Sequence, residues 1–429
     1  MKTGPSMFRE ALGSVPSHAV LEPVRDVVLV QCSSRGGSSV FMEMLRHSRS
    51  LHHLSGEIGP ALAAAGLTFP HSETGSDALG AEHATNIAIR TVHHALRQDV
   101  GNPSPGTDTP QTRQQLINTI HWRLAAQWPS VSISETCIHD AVEHAFSQPL
   151  IALPFSQGQR FHASFLQHIR SVYPTINPWY YDLDPALIRG AFPGVPEPKG
   201  PPGDWLIEEP PFVLSGPWDT APDDALGSRP LILKTPSNAY RMPFLRALFP
   251  SARIRVVHLL RNPAASINGL VDGWRFRGFH AHRMDRPLEI DGIHSEDRFW
   301  WKYDLPPGWQ DWRTASLVEV AGFQWSSAHR SILDSVSTDP KETHRLRFED
   351  IVGPRRQTAF QELFSWLDLP LDEPMSRVIH DGLPPVMATE RPRQRRWFDR
   401  AEQLDPVLQT PRVSDVAHTL GYRDRSDWL

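Results

Sequence analysis

Cysteine is nearly missing from this chain: Cys32 and Cys137 are the two in 429 residues. That is too few for a disulfide framework or a cysteine-rich zinc site, and it fits a reducing cytoplasm. A basic surplus is missing too. The formal net charge is -5, which argues against a general nucleic-acid binder. Any anionic ligand must therefore find its positive charge locally. No stretch approaches the roughly 18 consecutive apolar residues of a membrane span. The opening segment MKTGPSMFREALGSVPSHAV lacks the basic start and long apolar core of a secretion signal. No internal repeat recurs at a fixed period, and the GxxxxGK[ST] phosphate loop is absent. These gaps predict a globular cytoplasmic chain without a membrane span or a nucleic-acid partner. With 40% hydrophobic and 21% charged residues, it can bury a substantial core.

What is present repeats one unit. Asp26-Val27-Val28-Leu29-Val30-Gln31 is short, apolar and β-branched, as suits a strand buried on both faces of a parallel sheet. It runs into a small polar loop and then VFMEMLRHS, whose Val40, Phe41, Met44 and Leu45 have helical spacing. Residues 230–235, 254–260 and 343–348 are further strand candidates, each followed by a helical pattern, and Pro263 suits a first helical turn. Strand-to-helix units of this kind predict an α/β fold with a central parallel sheet flanked by helices in three layers. Between 58 and 229 the character changes. Residues 58–69, 84–98 and most of 111–170 look helical, 101–110 reads as a loop, and 186–229 is dense in proline and glycine. We expect a single domain over 1–429, its core in 25–57 and 230–422. The mostly helical, Pro-rich insertion 58–229 would then cover the site of an acceptor.

The loop Ser34-Arg35-Gly36-Gly37-Ser38-Ser39 suits oxyanions. A helix N-terminus carries unpaired N–H groups and partial positive charge. Gly36 and Gly37 let the backbone approach an anion, Ser38 and Ser39 add hydroxyls, and Arg35 adds a permanent cation. A plain strand-to-helix turn that happens to hold glycines is the alternative. Two later segments bear on the choice, Arg261-Asn262-Pro263 at a strand end and Arg347-Phe348-Glu349-Asp350 after another.

Together these segments resemble the P-loop-like sulfotransferases that use 3′-phosphoadenosine-5′-phosphosulfate (PAPS), over residues 25–57 and 230–422. The loop is similar to their P-K-S-G-T-T or P-R-S-G-T/S-T, with Ser34 in place of proline and Gly36 in place of serine. The resemblance implies that Arg35, Gly36, Gly37, Ser38 and Ser39 hold the 5′-phosphosulfate. It implies that Arg261 clamps the 3′-phosphate and that Phe348 packs near the adenine, without the hydroxyl of the family's tyrosine. Gly269 stands where the family commonly has serine. The basic run RPRQRRWFDR resembles C-terminal loops that close over the 3′-phosphate, which makes Arg393, Arg395 and Arg396 candidates, although a charge run is also simply a solvated face.

Cytosolic members carry K-T-H, whereas this chain reads Lys234-Thr235-Pro236, so the lysine stays and another base is implied. Tyrosyl and several bacterial relatives place a glutamate after the first helix. Gly56-Glu57 stands in the similar place and makes Glu57 the expected general base, with His52 and His53 as alternatives. Lys234 and Arg35 would stabilise the charge of transfer, and no metal is required. The implied reaction moves the sulfuryl group of PAPS to a hydroxyl of a small or lipid-like acceptor. A nucleotide-dependent kinase and a non-catalytic nucleotide-binding module are the competing readings. The aromatic residues crowding 274–325, with His280 and His282, fit either an acceptor pocket or a core.

Overall fold

The computed structural model describes residues 13–103, 109–147, 155–201, 218–336, 339–383, 386–390, 392–425 and 428. Among them are strands β1 (Asp26–Gln31), β2 (His53–Leu54), β3 (Val100–Pro103), β4 (Trp218–Thr220), β5 (Leu231–Lys234), β6 (Arg253–Leu260), β7 (Ala281–Arg283), β8 (Trp300–Lys302) and β9 (Thr343–Arg347). The main sheet runs β5-β1-β6-β9, and each of its pairings is parallel.

Alternate residues of these strands enter two different cores, as a sheet buried on both faces requires. Val27, Leu29, Leu231, Leu233 and Val256 pack with helices Gly59–Ala64, Asn86–Arg97 and Met242–Leu248. Val28, Val30, Ile232, Val257 and Leu259 pack with helices Ser38–Leu45, Arg356–Trp366 and Glu373–Asp381. The fold is therefore α/β in three layers, with helices on both faces of a central parallel sheet. The edge strand β5 is covered by the segment before β2: His52 N–H donates to the Pro230 carbonyl at 2.8 Å and Ile232 N–H to the His52 carbonyl at 2.9 Å, which blunts an exposed edge.

Two small antiparallel sheets, β2-β3-β4 and β7-β8, accompany the parallel sheet that the sequence predicts. Residues 100–103, placed mostly in a loop, are β3. Its Gly101 and Pro103 break the usual strand pattern, and Gly101 is needed because a Cβ there would lie 2.1 Å from the Asp219 carbonyl oxygen. The helices Pro110–Gln127, Glu135–Ser147 and Phe155–Val172 share a core of their own, around Leu124, Ile138, Phe165 and Ile169. Of the aromatic cluster, Trp274, Trp301 and Trp325 are wholly buried core beneath helices Pro263–Arg275 and Leu317–Ser335. Among the described residues no helix is long and apolar enough to cross a membrane.

Candidate active site

In a parallel sheet all carboxyl ends lie at one edge, where loops can converge. The loop Cys32–Gly37 follows β1, Lys234 ends β5, Arg261 follows β6, and Phe348 follows β9. Ser34, Arg35 and Gly37 of the loop line one cavity of about 270 Å³ with Lys234, Arg261 and Phe348, together with Glu57, Arg393, Arg395 and Arg396. Of the expected site residues, Gly36 alone is not in its wall. A larger, more open concavity of about 990 Å³, lined by residues such as Arg25, Arg97 and Trp122, contains none of them.

The loop is shaped by close approach. Arg35 and Gly37 have φ of 59° and 91°, and Gly37 caps helix Ser38–Leu45. A Cβ on Gly37 would sit 2.1 Å from the Phe348 ring, so only glycine fits there. Ser34 hydrogen-bonds through Oγ to the buried Asp304 carboxylate, whose other oxygen accepts from Tyr240 Oη at 2.8 Å. Burial pushes the Asp304 carboxyl up to about 6 while those two bonds pull it down. Burial likewise pushes the Cys32 thiol up to about 11, which leaves it unsuited as a nucleophile.

Arg35 donates to the Met387 carbonyl at 3.1 Å and stacks over Phe279, 5.0 Å from the ring centroid. A Cβ on Gly269 would lie 3.3 Å from Arg35 Cβ, a tight contact that accounts physically for glycine at this position. Arg261 donates to the Arg35 carbonyl at 3.0 Å and lies 4.7 Å from the centroid of Phe348. Burial lowers its guanidinium to about 10, with Glu349 pulling up and Arg35 and Arg396 pushing down. It remains a cation at neutral pH. Glu349 locks the two strand ends together, accepting from Asn262 N and Nδ2 at 2.9 Å each and from Tyr422 Oη at 3.0 Å. Of the C-terminal arginines, Arg396 pairs with Asp272 and Arg393 with Asp399, while Arg395 turns with φ of 51° and lies over Phe398.

Lys234 Nζ donates to Glu57 Oε1, with side-chain exposures of 8% and 19%. His52 and His53 are outside the cavity wall. His52 Nε2 bonds the Ala225 carbonyl oxygen, and burial pushes His53 down to about 3. Beyond Glu57 and Lys234 the cavity continues past Phe69, Asp77, Phe279, His280, His282 and Tyr303. Asp77 is held there by Arg241, Ser237 and the Leu305 amide at 2.7–2.8 Å. Burial acts to raise its carboxyl, but Arg241, His282 and the bonds from the Leu305 amide and Ser237 together outweigh that and leave it low. His280, enclosed in the wall, is pushed down to about 3. Arg241 follows the Lys234-Thr235-Pro236 segment by only a few residues, but neither it nor Asp77 nor Asp304 belongs to a motif that would mark it.

No family model matches the chain, and no curated protein matches it. Among solved structures, it is similar to a sulfotransferase domain from the curacin biosynthetic pathway, at 14% identity and a TM-score of 0.37, over 93% of this chain and 99% of that one. A sulfotransferase domain from the Synechococcus PCC 7002 olefin synthase aligns at 13% identity and a TM-score of 0.34, over 96% and 98%. The sulfotransferase STF9 from Mycobacterium avium aligns at 12% and 0.36, over 93% and 78%. At these values the likeness is weak, and the chemistry is carried by the site.

Proposed function

We propose that this chain is a PAPS-dependent sulfotransferase acting on a hydroxyl of a small-molecule acceptor and releasing adenosine 3′,5′-bisphosphate. The observation that carries the proposal is the Glu57–Lys234 contact in the same cavity wall as loop 34–39 and Arg261. Acceptor and leaving oxygens flank a single sulfur, so base and cation must be close neighbours. Both are held in a poorly hydrated setting, where charge acts more strongly than in water.

Each residue then has a role. Arg35, the hydroxyls of Ser38 and Ser39, and the first amides of their helix hold the 5′-phosphosulfate end. Arg261 clamps the 3′-phosphate, assisted by Arg395 and Arg396, and Phe348 supports the adenine. Glu57 takes the acceptor's hydroxyl proton as the new O–S bond forms. The bond from sulfur to the bridging oxygen breaks, its electron pair stays on the phosphate, and Lys234 neutralises that charge. The cysteines take no part, and no metal is needed. Supporting this division of labour, five arginines (Arg35, Arg261, Arg393, Arg395 and Arg396) gather at the nucleotide end, while at the far end Arg241 is balanced by Asp77 and His280 is neutral.

Calorimetry with adenosine 3′,5′-bisphosphate and with ATP tests the nucleotide assignment. Tight binding of the bisphosphate with little affinity for ATP is expected, and the reverse would favour a kinase. Incubation with PAPS then tests turnover, by chromatographic detection of the bisphosphate product.

A further inference from the structure

The geometry points to Asp99 and Arg123, both supplied by the insertion, as the positioning residues that aim Glu57 at Lys234. The inference rests on the sulfuryl-transfer reading of the site. Glu57 stands on a short turn between β2 and helix Gly59–Ala64, and a turn of that kind does not by itself direct a carboxylate. Asp99, just before β3, and Arg123, on helix Pro110–Gln127, form an ion pair at 2.5 Å with side chains 3% and 0% exposed. Their side-chain bonds converge on the two residues preceding Glu57. Ser55 Oγ bonds both Asp99 Oδ1 and Arg123 Nη2, and Gly56 N–H donates to Asp99 Oδ2 at 3.2 Å. Arg46, which caps the helix that begins at the phosphate loop, donates to the Ser55 carbonyl at 2.8 Å. Ile58, on the other side, is 0% exposed. Of residues 55–58, Glu57 alone lines the cavity.

Burying two charges is costly, and well-packed apolar side chains of similar volume usually stabilise as much or more. What a hydrogen-bonded ion pair adds is direction. Asp99 and Arg123 do not line the cavity, so they touch neither substrate and act through the turn. The small sheet supports the same alignment: β2 pairs with β3, Trp218 of β4 donates to the Asp99 carbonyl at 3.0 Å, and the segment before β2 is bonded to β5, the strand that ends in Lys234. The insertion thus reaches the chemistry from behind.

The test uses Asp99→Asn and Arg123→Lys in the full chain, with PAPS and 4-nitrophenol as acceptor probe and PAPS hydrolysis as the acceptor-free reaction. Asp99→Asn should lower kcat roughly 10- to 100-fold, because small displacements of a catalytic group cost that much. KM for PAPS and the Kd of adenosine 3′,5′-bisphosphate should stay within about twofold of wild type. Arg123→Lys, which keeps the charge, should retain more activity. In a Glu57→Gln background, Asp99→Asn should cost almost nothing further, since its effect runs through Glu57. Should Asp99→Asn not fold, Ser55→Ala removes the shared hydroxyl without stranding a charge and should show the same pattern more mildly. A wild-type kcat, an equal loss in both backgrounds, or a parallel loss of bisphosphate affinity would overturn the inference alone. A wild-type chain that turns over no PAPS in either reaction removes the sulfotransferase reading and the inference with it.

Discussion

A glutamate beside a lysine on an open surface contributes little, because water screens the pair and both chains are free to leave it. Glu57 and Lys234 differ in their setting: each is largely shielded, and each stands on backbone that is itself tied down. Glu57→Gln should lower turnover by roughly 10²–10⁴-fold, the usual scale of a lost general base. Bisphosphate binding measured by calorimetry should be nearly intact, and a fully active variant would remove Glu57 from the role. Lys234→Ala should slow transfer by about 10²–10³-fold, and wild-type single-turnover rates would show that it does not stabilise the leaving group. The pairing itself was not legible. Glu57 and Lys234 stand in separate short segments, and 177 positions divide them. Asp77, Arg241 and Asp304 were missed because a buried polar network is assembled by folding and has no local pattern.

Elements bring the loop and the arginine together. The parallel order of β1 and β6 places Arg261 Nη1 against the Arg35 carbonyl, and the next strand, β9, delivers Phe348 against Gly37. Arg261→Ala should weaken adenosine 3′,5′-bisphosphate binding roughly 10- to 150-fold, the worth of a charged hydrogen bond. It should leave adenosine 5′-phosphate, which has no 3′-phosphate, little affected. Equal losses for both ligands would assign Arg261 to the other end of the nucleotide. Gly37→Ala forces a Cβ into the Phe348 ring at φ of 91° and should destabilise the chain by about 1–3 kcal/mol in urea unfolding. The main strands were readable to within a residue or two: β1 and β5 are nearly continuous apolar runs, β6 ends in one, and β9, mostly polar, is marked by the segment Arg347-Phe348-Glu349-Asp350 that begins at its last residue. Strands β2 and β4, of two and three residues, are too short to carry a period, so the sheet behind Glu57 was invisible in the sequence.

Across the whole molecule, buried imidazoles govern the response to acid. Burial pushes His53 and His329 down to about 3 and His93 to about 4, so below the ordinary value of 6.5 the unfolded chain binds protons that the folded chain refuses. Stability should therefore fall as pH drops from 7 towards 4. Asp304 works the other way. Its folded value of about 6 exceeds the ordinary 3.8, so its contribution is fully present below that lower value and is lost as pH rises through 6. Asp304→Asn should steepen the acid loss, read as a larger drop in the urea midpoint between pH 7 and 5. An unchanged slope would show that Asp304 does not titrate in this range.

By itself the sequence determined the layered architecture and the strand-end loops, since apolar runs, turn residues and helical spacing are local properties that survive in one dimension. Only the tertiary structure decided which carboxylate meets Lys234, where Ser34 finds its partner, and what stands behind Glu57. Those contacts join residues scores of positions apart, and their energy depends on burial and direction, which exist only once the chain has closed on itself.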